Sequence, residues 1–434
     1  MTSPDWHPPA VSGPLDATVT LPGSKSLTNR YLVLAALASG TSRLRRPLRS
    51  RDTELMAQAL RQLGAGVDDA TSSANALTSP DWLVTPATLR GGRAIDCGLA
   101  GTVMRFLPPV AALAGGPVTF DGDEHARVRP MAAIIDALRD LGVTIDDGGS
   151  GTLPFVVEGA GSVDGGTVVV DASASSQFVS ALLLAGSRFE EGITVVHEGA
   201  QLPSLPHIEM TVETLRDAGA EVDDCEANIW RVEPGELLPL DVTVEPDLSN
   251  AAPFLAAAVV AGGTVVVPDW PQHTTQAGDR IRDVLDQMDA EVRLDARALT
   301  VIGDGHPQGV DIDLSAAAEL TPVVAALAAC ADGPSIIRGV GHIRGHETDR
   351  IAALSRELGA LGVAVTERDD GLRIDPQPLR PATFHTYADH RMVMAGAVMS
   401  IAAPGTVIED PGTVAKTVPD FVGLWESMIG TSAG

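Results

Sequence analysis

Apolar residues recur along this chain in six long runs. Each run closes on a glycine, and a short β-branched segment follows. The runs are LTNRYLVLAALASG, LAGTVMRFLPPVAALAGG, SSQFVSALLLAG, LSNAAPFLAAAVVAGG, LTPVVAALAACADG and HRMVMAGAVMSIAAPG, and each predicts an apolar helix. The glycines Gly40, Gly116, Gly192, Gly263, Gly333 and Gly405 recur roughly every 70–76 residues. That spacing is too long for the common solenoid repeats and suits a compact supersecondary unit. Each glycine is expected to supply the left-handed cap that ends a helix. Strands are predicted after five of them, at 119–120, 193–196, 264–267, 335–337 and 406–408.

A second helix ending appears in five of the units: ALRQLGAGVD, ALRDLGVTID, TLRDAGAEVD, VLDQMDAEVR and ELGALGVAVT, starting at Ala59, Ala137, Thr214, Val284 and Glu357. Its i, i+3, i+4 apolar spacing marks an amphipathic surface helix, and the alternation after the turn marks a strand. Each unit therefore reads as β–α–β–α–β plus one more strand. Six units in 434 residues predict two domains of three units. The crossings are expected at Leu21 to Gly23 and near Glu245, Pro246 and Asp247, where proline precedes an apolar helix. One domain then comprises 1–22 with 246–434, and the other is the inserted segment 23–245. The first ten residues, with three prolines, are expected to be a loose tail.

Composition narrows the function. Apolar residues make up 44% and aromatics only 3%, so the core is built from Ala, Val, Leu and Ile. A net charge of −27 repels nucleic acid and anionic membrane, which excludes both as main partners. If the substrate is an anion, the positive field that receives it must be local. The acid-rich, lysine-poor composition fits adaptation to high salt or a GC-rich codon bias. Cys97, Cys225 and Cys330 form no disulfide framework or zinc spacing, which fits a reducing cytosol. The N-terminus lacks the basic and apolar regions of a signal peptide, and runs such as 251–261 are too short to span a bilayer.

The local positive field has visible candidates. Of 30 Lys plus Arg, only Lys25 and Lys416 are lysines. Lys25 lies in LPGSKSLTNR, a loop that feeds a helix N-terminus, where free N–H groups and the macrodipole favour anions. The other apolar helices open on Gly101 and Thr102; Ser175, Ser176 and Gln177; Ser249 and Asn250; Glu319 and Thr321; and Asp389, His390 and Arg391. N-capping accounts for Ser249, Asn250 and Thr321. It does not account for Lys25, Arg30 or Arg391, because a cation at a positive helix end is unfavourable unless an anion lies between. Arg127 and Arg129 in HARVRPM, and Arg344, His346, Glu347 and Arg350 in GHIRGHETDR, add donors and two-way proton groups. SKS does not complete the P-loop pattern G-x-x-x-x-G-K-[ST].

Seven segments, LPGSKSLTNR, LAGTVMR, RVRPM, SASSQF, RGHETDR, YADHRMVMAGA and AKTVPDF, resemble the 5-enolpyruvylshikimate-3-phosphate synthases, in order and across essentially the whole chain. The resemblance implies two inside-out α/β domains, each of three βαβαββ repeats, joined by a double-crossover hinge with the active site in the interdomain cleft. It implies transfer of the enolpyruvyl group of phosphoenolpyruvate to the 5-hydroxyl of shikimate 3-phosphate with release of phosphate. No metal or organic cofactor is expected, and the enzyme is expected to be a cytoplasmic monomer. Lys25, Ser26, Arg30, Ser175, Ser176, Gln177, Ser204, Glu319 and His346 are implied to contact shikimate 3-phosphate. Lys25, Gly101, Arg129, Gln177, Arg350, Arg391 and Lys416 are implied to contact phosphoenolpyruvate. Lys25, Glu319, Glu347 and His390 are implied to be catalytic, with Glu347 protonating carbon and Glu319 taking the hydroxyl proton.

The chain departs from the family's commoner residues at Leu99 (Asn), His346 (Lys), Glu319 (Asp) and His207 (Tyr or Arg). A histidine at 346 is expected to make activity pH-sensitive. Gly101 in place of alanine leaves room for glyphosate, with inhibition competitive with phosphoenolpyruvate. Two alternatives remain: the sister enzyme acting on UDP-N-acetylglucosamine, which uses a loop cysteine as acid, and a non-catalytic anion-binding module on the same scaffold.

Overall fold

The computed structural model describes residues 3–70, 80–200, 202 and 204–432. The chain divides into two compact units, Gly23–Val244 and Met1–Pro22 with Glu245–Gly434.

In the Gly23–Val244 unit, three apolar helices, Lys25–Leu37, Gly101–Ala112 and Gln177–Gly186, pack on one another at the centre. Every residue from Leu27 to Leu37 is buried, as the unbroken apolar run requires. Around them lie three four-stranded sheets and the amphipathic helices Arg51–Leu63, Ala132–Asp140 and Pro206–Asp217. Arg51–Leu63 buries Met56, Ala57, Ala59, Leu60 and Leu63, a single helical face. The sheet pattern is clearest in the middle repeat. Arg93–Asp96 runs parallel to Gly115–Asp121, which is antiparallel to Phe155–Ala160, itself antiparallel to Thr144–Asp146. With the two helices between, the chain order is βαβαββ. Gly166–Val170, Ile193–His197, Val222–Asp223 and Ile229–Val232 repeat it. The first repeat borrows its opening strand: Asp241–Thr243 comes from the far end of the unit and pairs in parallel with Ser42–Arg45.

The other unit is built alike around Leu248–Ala261, Thr321–Ala329 and His390–Ala402, which also pack on one another. Its borrowed strand is Leu15–Thr18, parallel to Gly263–Pro268. A second four-stranded sheet joins Asp311–Asp313, Ser335–Arg338, Gly371–Asp375 and Ala364–Arg368. The last sheet has two strands, Thr383–Phe384 and Val407–Ile408.

Two expectations fail here. The N-terminal segment is not loose from Ser3 onward. Trp6 is 6% exposed, its backbone pairs with Ile408 at 2.8 Å, and its indole N–H donates to Glu426 at 2.9 Å. Ser3 donates to Asp410 at 2.8 Å. The prolines prevent regular structure, but one buried indole against Phe421 anchors the segment. The glycines do not cap as expected either. The inner helices end on Ala38, Leu113, Ser187, Gly262, Cys330 and Ala403, and only Gly262 is a glycine. Gly263 instead begins a strand, where a Cβ would sit 2.2 Å from the carbonyl oxygen of Leu15 on its neighbour. Close approach of two strands, rather than the end of a helix, requires that glycine.

Candidate active site

In the Gly23–Val244 unit, the N-terminal ends of the three inner helices meet. Ser24 caps the first, its hydroxyl accepting from Leu27 N–H, so that Lys25 and Ser26 open the helix. Lys25 Nζ lies 3.6 Å from the buried carboxylate of Asp52. Arg30, one turn further on, is 1% exposed. It donates to Thr211 Oγ1 at 2.8 Å, Ser26 O at 3.0 Å and His207 O at 2.8 Å. All three acceptors are neutral, and burial pushes the guanidinium down to about 9. Arg30 thus ties the Ser26 turn to the segment carrying His207.

Gly101 opens the second helix at the tightest point of the cluster. A Cβ there would lie 2.8 Å from Arg105 Nη1 and 3.3 Å from both Arg129 Nη1 and Gln177 Oε1. Arg105 donates to Gln177 Oε1 at 3.0 Å, and Arg129 to Leu99 O at 3.3 Å. Asn29 donates to Thr102 at 2.7 Å, which joins the first two helices. Ser175 accepts from Gln177 N–H at 3.3 Å, and Ser176 is buried beside it. Ser204 is partly buried and adopts a φ of +53°, two residues before the Pro206–Asp217 helix.

The second cluster belongs to the other unit. Arg350 is its hub, 2% exposed. Its guanidinium donates to Asp389 Oδ2 at 2.7 Å, Asp389 Oδ1 at 3.2 Å, Glu347 Oε2 at 3.0 Å and His346 Nδ1 at 3.0 Å. Asp389 also caps the His390–Ala402 helix, accepting from Arg391 N–H at 2.8 Å. Arg391 donates to Ser249 O at 2.9 Å, Asn250 Oδ1 at 3.1 Å and Glu319 Oε2 at 3.1 Å. Lys416 donates to Glu347 Oε1 at 2.8 Å. His390 is buried, with Nδ1 3.5 Å from Asp389.

Electrostatics set the charge states. Desolvation raises the Glu347 carboxyl, but Lys416, Arg350 and His390 outweigh it and hold the group well below the usual carboxylate range. Glu347 therefore rests as a carboxylate. His346 is pushed down to about 4 by loss of hydration and by the charge of Arg350. The residue is exposed as a whole, so the direct Arg350 contact is the firmer cause. An arginine N–H donating to Nδ1 requires a lone pair there, which leaves the ring neutral with its proton on Nε2. His342, whose ring centroid lies 5.8 Å from that of His346, is lowered by burial and by Arg350.

Among the described residues, buried side-chain atoms without a hydrogen-bond partner include Asn29 Oδ1, Asp52 Oδ1, Thr321 Oγ1 and His342 Nε2. Orphaned buried polar atoms are costly, and each calls for a partner such as a water, an ion or a ligand.

Several readings of single residues change. Ser249 and Thr321 do not cap: Asp247 caps the Leu248–Ala261 helix and Leu320 precedes Thr321. Asn250 is wholly buried and its side-chain carbonyl receives Arg391, so it builds the site. Arg127 pairs with Asp121, and Arg344 with Asp349 and Glu367, on the surface. Asp52 and Arg105 are the structural additions, and Asp389, already singled out at its helix start, gains its partner in Arg350. Arg105 stands in LAGTVMR and Asp389 in YADHR, so motif position was a signal for both; Asp52 carried none.

Repeated βαβαββ units around buried inner helices are the fold of the enolpyruvyl transferases. The fold is that of an enolpyruvyl transferase of Streptomyces tendae, with TM-score 0.74, 21% identity and 96% of each chain covered. An EPSP synthase structure from Acinetobacter baumannii matches with TM-score 0.82 and 25% identity, over 98% of this chain and 97% of that one. The family model for EPSP synthase (3-phosphoshikimate 1-carboxyvinyltransferase) matches residues 9–425, and the chain belongs to that family. A 3-phosphoshikimate 1-carboxyvinyltransferase of Kocuria rhizophila is 55% identical over 432 residues, covering 98% of this chain and 97% of that protein.

Proposed function

We propose that this chain transfers the enolpyruvyl group of phosphoenolpyruvate to the 5-hydroxyl of shikimate 3-phosphate and releases phosphate. The observation that carries this reading is the pair of cation-bearing clusters at helix N-termini in a chain of net charge −27. Two polyanionic substrates need such local fields. The 55% identical relative supports the reaction.

In this reading Lys25, Ser26, Ser175, Ser176, Gln177 and Ser204 hold shikimate 3-phosphate, and Glu319 and the Nε2 proton of His346 assist. Arg30 joins them in this reading, and its bond to the Ser26 carbonyl also sets that turn. Gly101, Arg129, Gln177, Arg350, Arg391, Lys416 and Lys25 receive phosphoenolpyruvate. The 5-hydroxyl oxygen attacks C2 of phosphoenolpyruvate while C3 takes a proton, which gives a tetrahedral adduct. Glu319 accepts the hydroxyl proton, with Lys25 adjusting the charge. Loss of phosphate from C2 and of a proton from C3 then returns the enol ether.

Glu347 delivers the carbon proton, although it rests ionised. Substrate phosphate and carboxylate compete for Lys416 and Arg350, which removes the cations that hold Glu347 low. Its proton affinity therefore rises when substrate arrives, and it is an acid only in the loaded enzyme. His390 lies beside Asp389 and contributes to the same field. The UDP-sugar alternative finds no support in Cys97, which is wholly buried with its thiol pushed up by burial.

The reading takes the chain as a cytoplasmic monomer. Among the described residues no helix is long and apolar enough to cross a membrane. The test is phosphate release by purified protein given phosphoenolpyruvate, with and without shikimate 3-phosphate, at low and high salt. Release that requires both substrates is expected. Absence of release from folded protein at either salt concentration overturns the reading.

A further inference from the structure

Glu357 is a carboxylate that the proposed chemistry does not use, yet it is 1% exposed. It lies two turns beyond Arg350 on the Arg350–Ala360 helix. Both of its oxygens face the segment that leads into Asp389. Oε2 accepts the backbone N–H of His385 at 2.9 Å, and Oε1 accepts the hydroxyl of Tyr387. Arg356 donates to the same hydroxyl at 2.9 Å, and its guanidinium carbon lies 5.6 Å from the ring centroid.

The segment so held is strained. Tyr387 and Ala388 have φ of +55° and +53°. Asp389 N–H donates to Thr386 O at 2.9 Å, closing a four-residue turn around them. Two successive positive-φ residues mark the type I′ turn, a conformation that glycine and asparagine adopt readily and that tyrosine and alanine resist. Such backbone persists only where surrounding contacts over-determine it. The carbonyl of Ala388 also accepts from Thr413 at 2.9 Å, on the turn that carries Lys416. The turn ends on Asp389, which orients Arg350 and caps the helix that carries Arg391.

We propose that Glu357 and Tyr387 form a positioning latch, which holds the strained 386–389 turn and thereby aligns Arg350 and Arg391. The helix Arg350–Ala360 is joined to this turn twice, by Arg350 on Asp389 and by Glu357 on Tyr387. Neither Glu357 nor Tyr387 touches the reacting atoms. The latch deepens the proposed function and rests on it for the identity of the ligand, phosphoenolpyruvate.

Tyr387→Phe removes the hydroxyl and keeps the ring. The Michaelis constant for phosphoenolpyruvate is expected to rise at least fivefold, while that for shikimate 3-phosphate stays within twofold. Adding Ala388→Gly relieves the backbone strain, and the double variant is expected to return to within twofold of the parent. A readout independent of activity is amide exchange across 385–391, at least tenfold faster in Tyr387→Phe and restored in the double variant. Unchanged or equally raised constants in Tyr387→Phe, or no recovery with glycine at 388, overturn the latch. An inactive parent overturns the function and leaves the exchange measurement to decide the latch: unchanged exchange rejects it, and faster exchange reversed by glycine upholds it.

Discussion

Replacing Gly101 by alanine puts a methyl group where three side chains already converge. The added carbon would lie 2.8 Å from Arg105 Nη1, so that nitrogen must retreat by about 0.6 Å to reach ordinary contact. Arg105 has little room. It is 4% exposed, and its guanidinium carbon sits 5.3 Å from the Phe178 ring centroid. The retreat therefore comes at the expense of its 3.0 Å bond to Gln177, and it crowds Arg129 at 3.3 Å. A hydrogen bond to a charged group contributes about 1.5–3 kcal/mol, which is roughly 10- to 150-fold in affinity. The fold should lose less than about 1 kcal/mol, because the atoms displaced are side-chain tips. Steady-state phosphate release with phosphoenolpyruvate varied at saturating shikimate 3-phosphate measures the first quantity, and thermal unfolding the second. A Michaelis constant within twofold of the parent refutes the argument that Gly101 keeps space for this cradle. A large fall in Tm refutes the claim that only side-chain tips yield.

Other expectations follow from the same contacts. Glu319→Gln and Glu347→Gln should each lower turnover by at least about 100-fold, and near-normal turnover in either removes that residue from proton transfer. Asp389→Asn takes the 2.7 Å carboxylate partner from buried Arg350 and leaves it Glu347 at 3.0 Å, a loss of at most about 3–5 kcal/mol that urea unfolding reads directly; a loss below about 1 kcal/mol contradicts the ion-pair argument. His346 is pushed down to about 4 from its ordinary 6.5, so the unfolded chain binds the extra proton first. Its contribution to stability is present above about pH 6.5 and is lost as pH falls toward 4. The parent's unfolding midpoint should fall across that window more steeply than that of His346→Gln, and parallel curves would reject the assignment.

Much of the fold was readable because its signals are local. The six buried helices coincide with six uninterrupted apolar runs, and a helix such as Thr321–Ala329 has no polar face to disguise it. The borrowed strands were not readable. Leu15–Thr18 and Asp241–Thr243 pair with partners far off in sequence, and periodicity carries no information about partners. Of the site, the cations announced themselves by standing at the wrong end of a helix. The acceptors that hold them did not. Asp52 reads as an ordinary first-turn acid, and Asn250 as an ordinary cap, until Lys25 and Arg391 are placed beside them. The strain at Tyr387 and Ala388 is equally silent in sequence, since neither residue favours the conformation it adopts.

The borrowed strand Leu15–Thr18 also imposes an order in time on a ribosome. Its partner, Gly263–Pro268, emerges only after roughly 245 further residues, on the order of 12–50 s at about 5–20 residues per second. Throughout that interval Gly23–Val244, which contains all four strands of each of its sheets, has everything it needs to close. The segment before it has not, and Trp6 waits longer still, until Ile408 is made. The segment carrying Trp6 and Leu15–Thr18 is thus made before the inserted unit yet finds its partners after it, and Gly23–Val244 can close before the unit that brackets it.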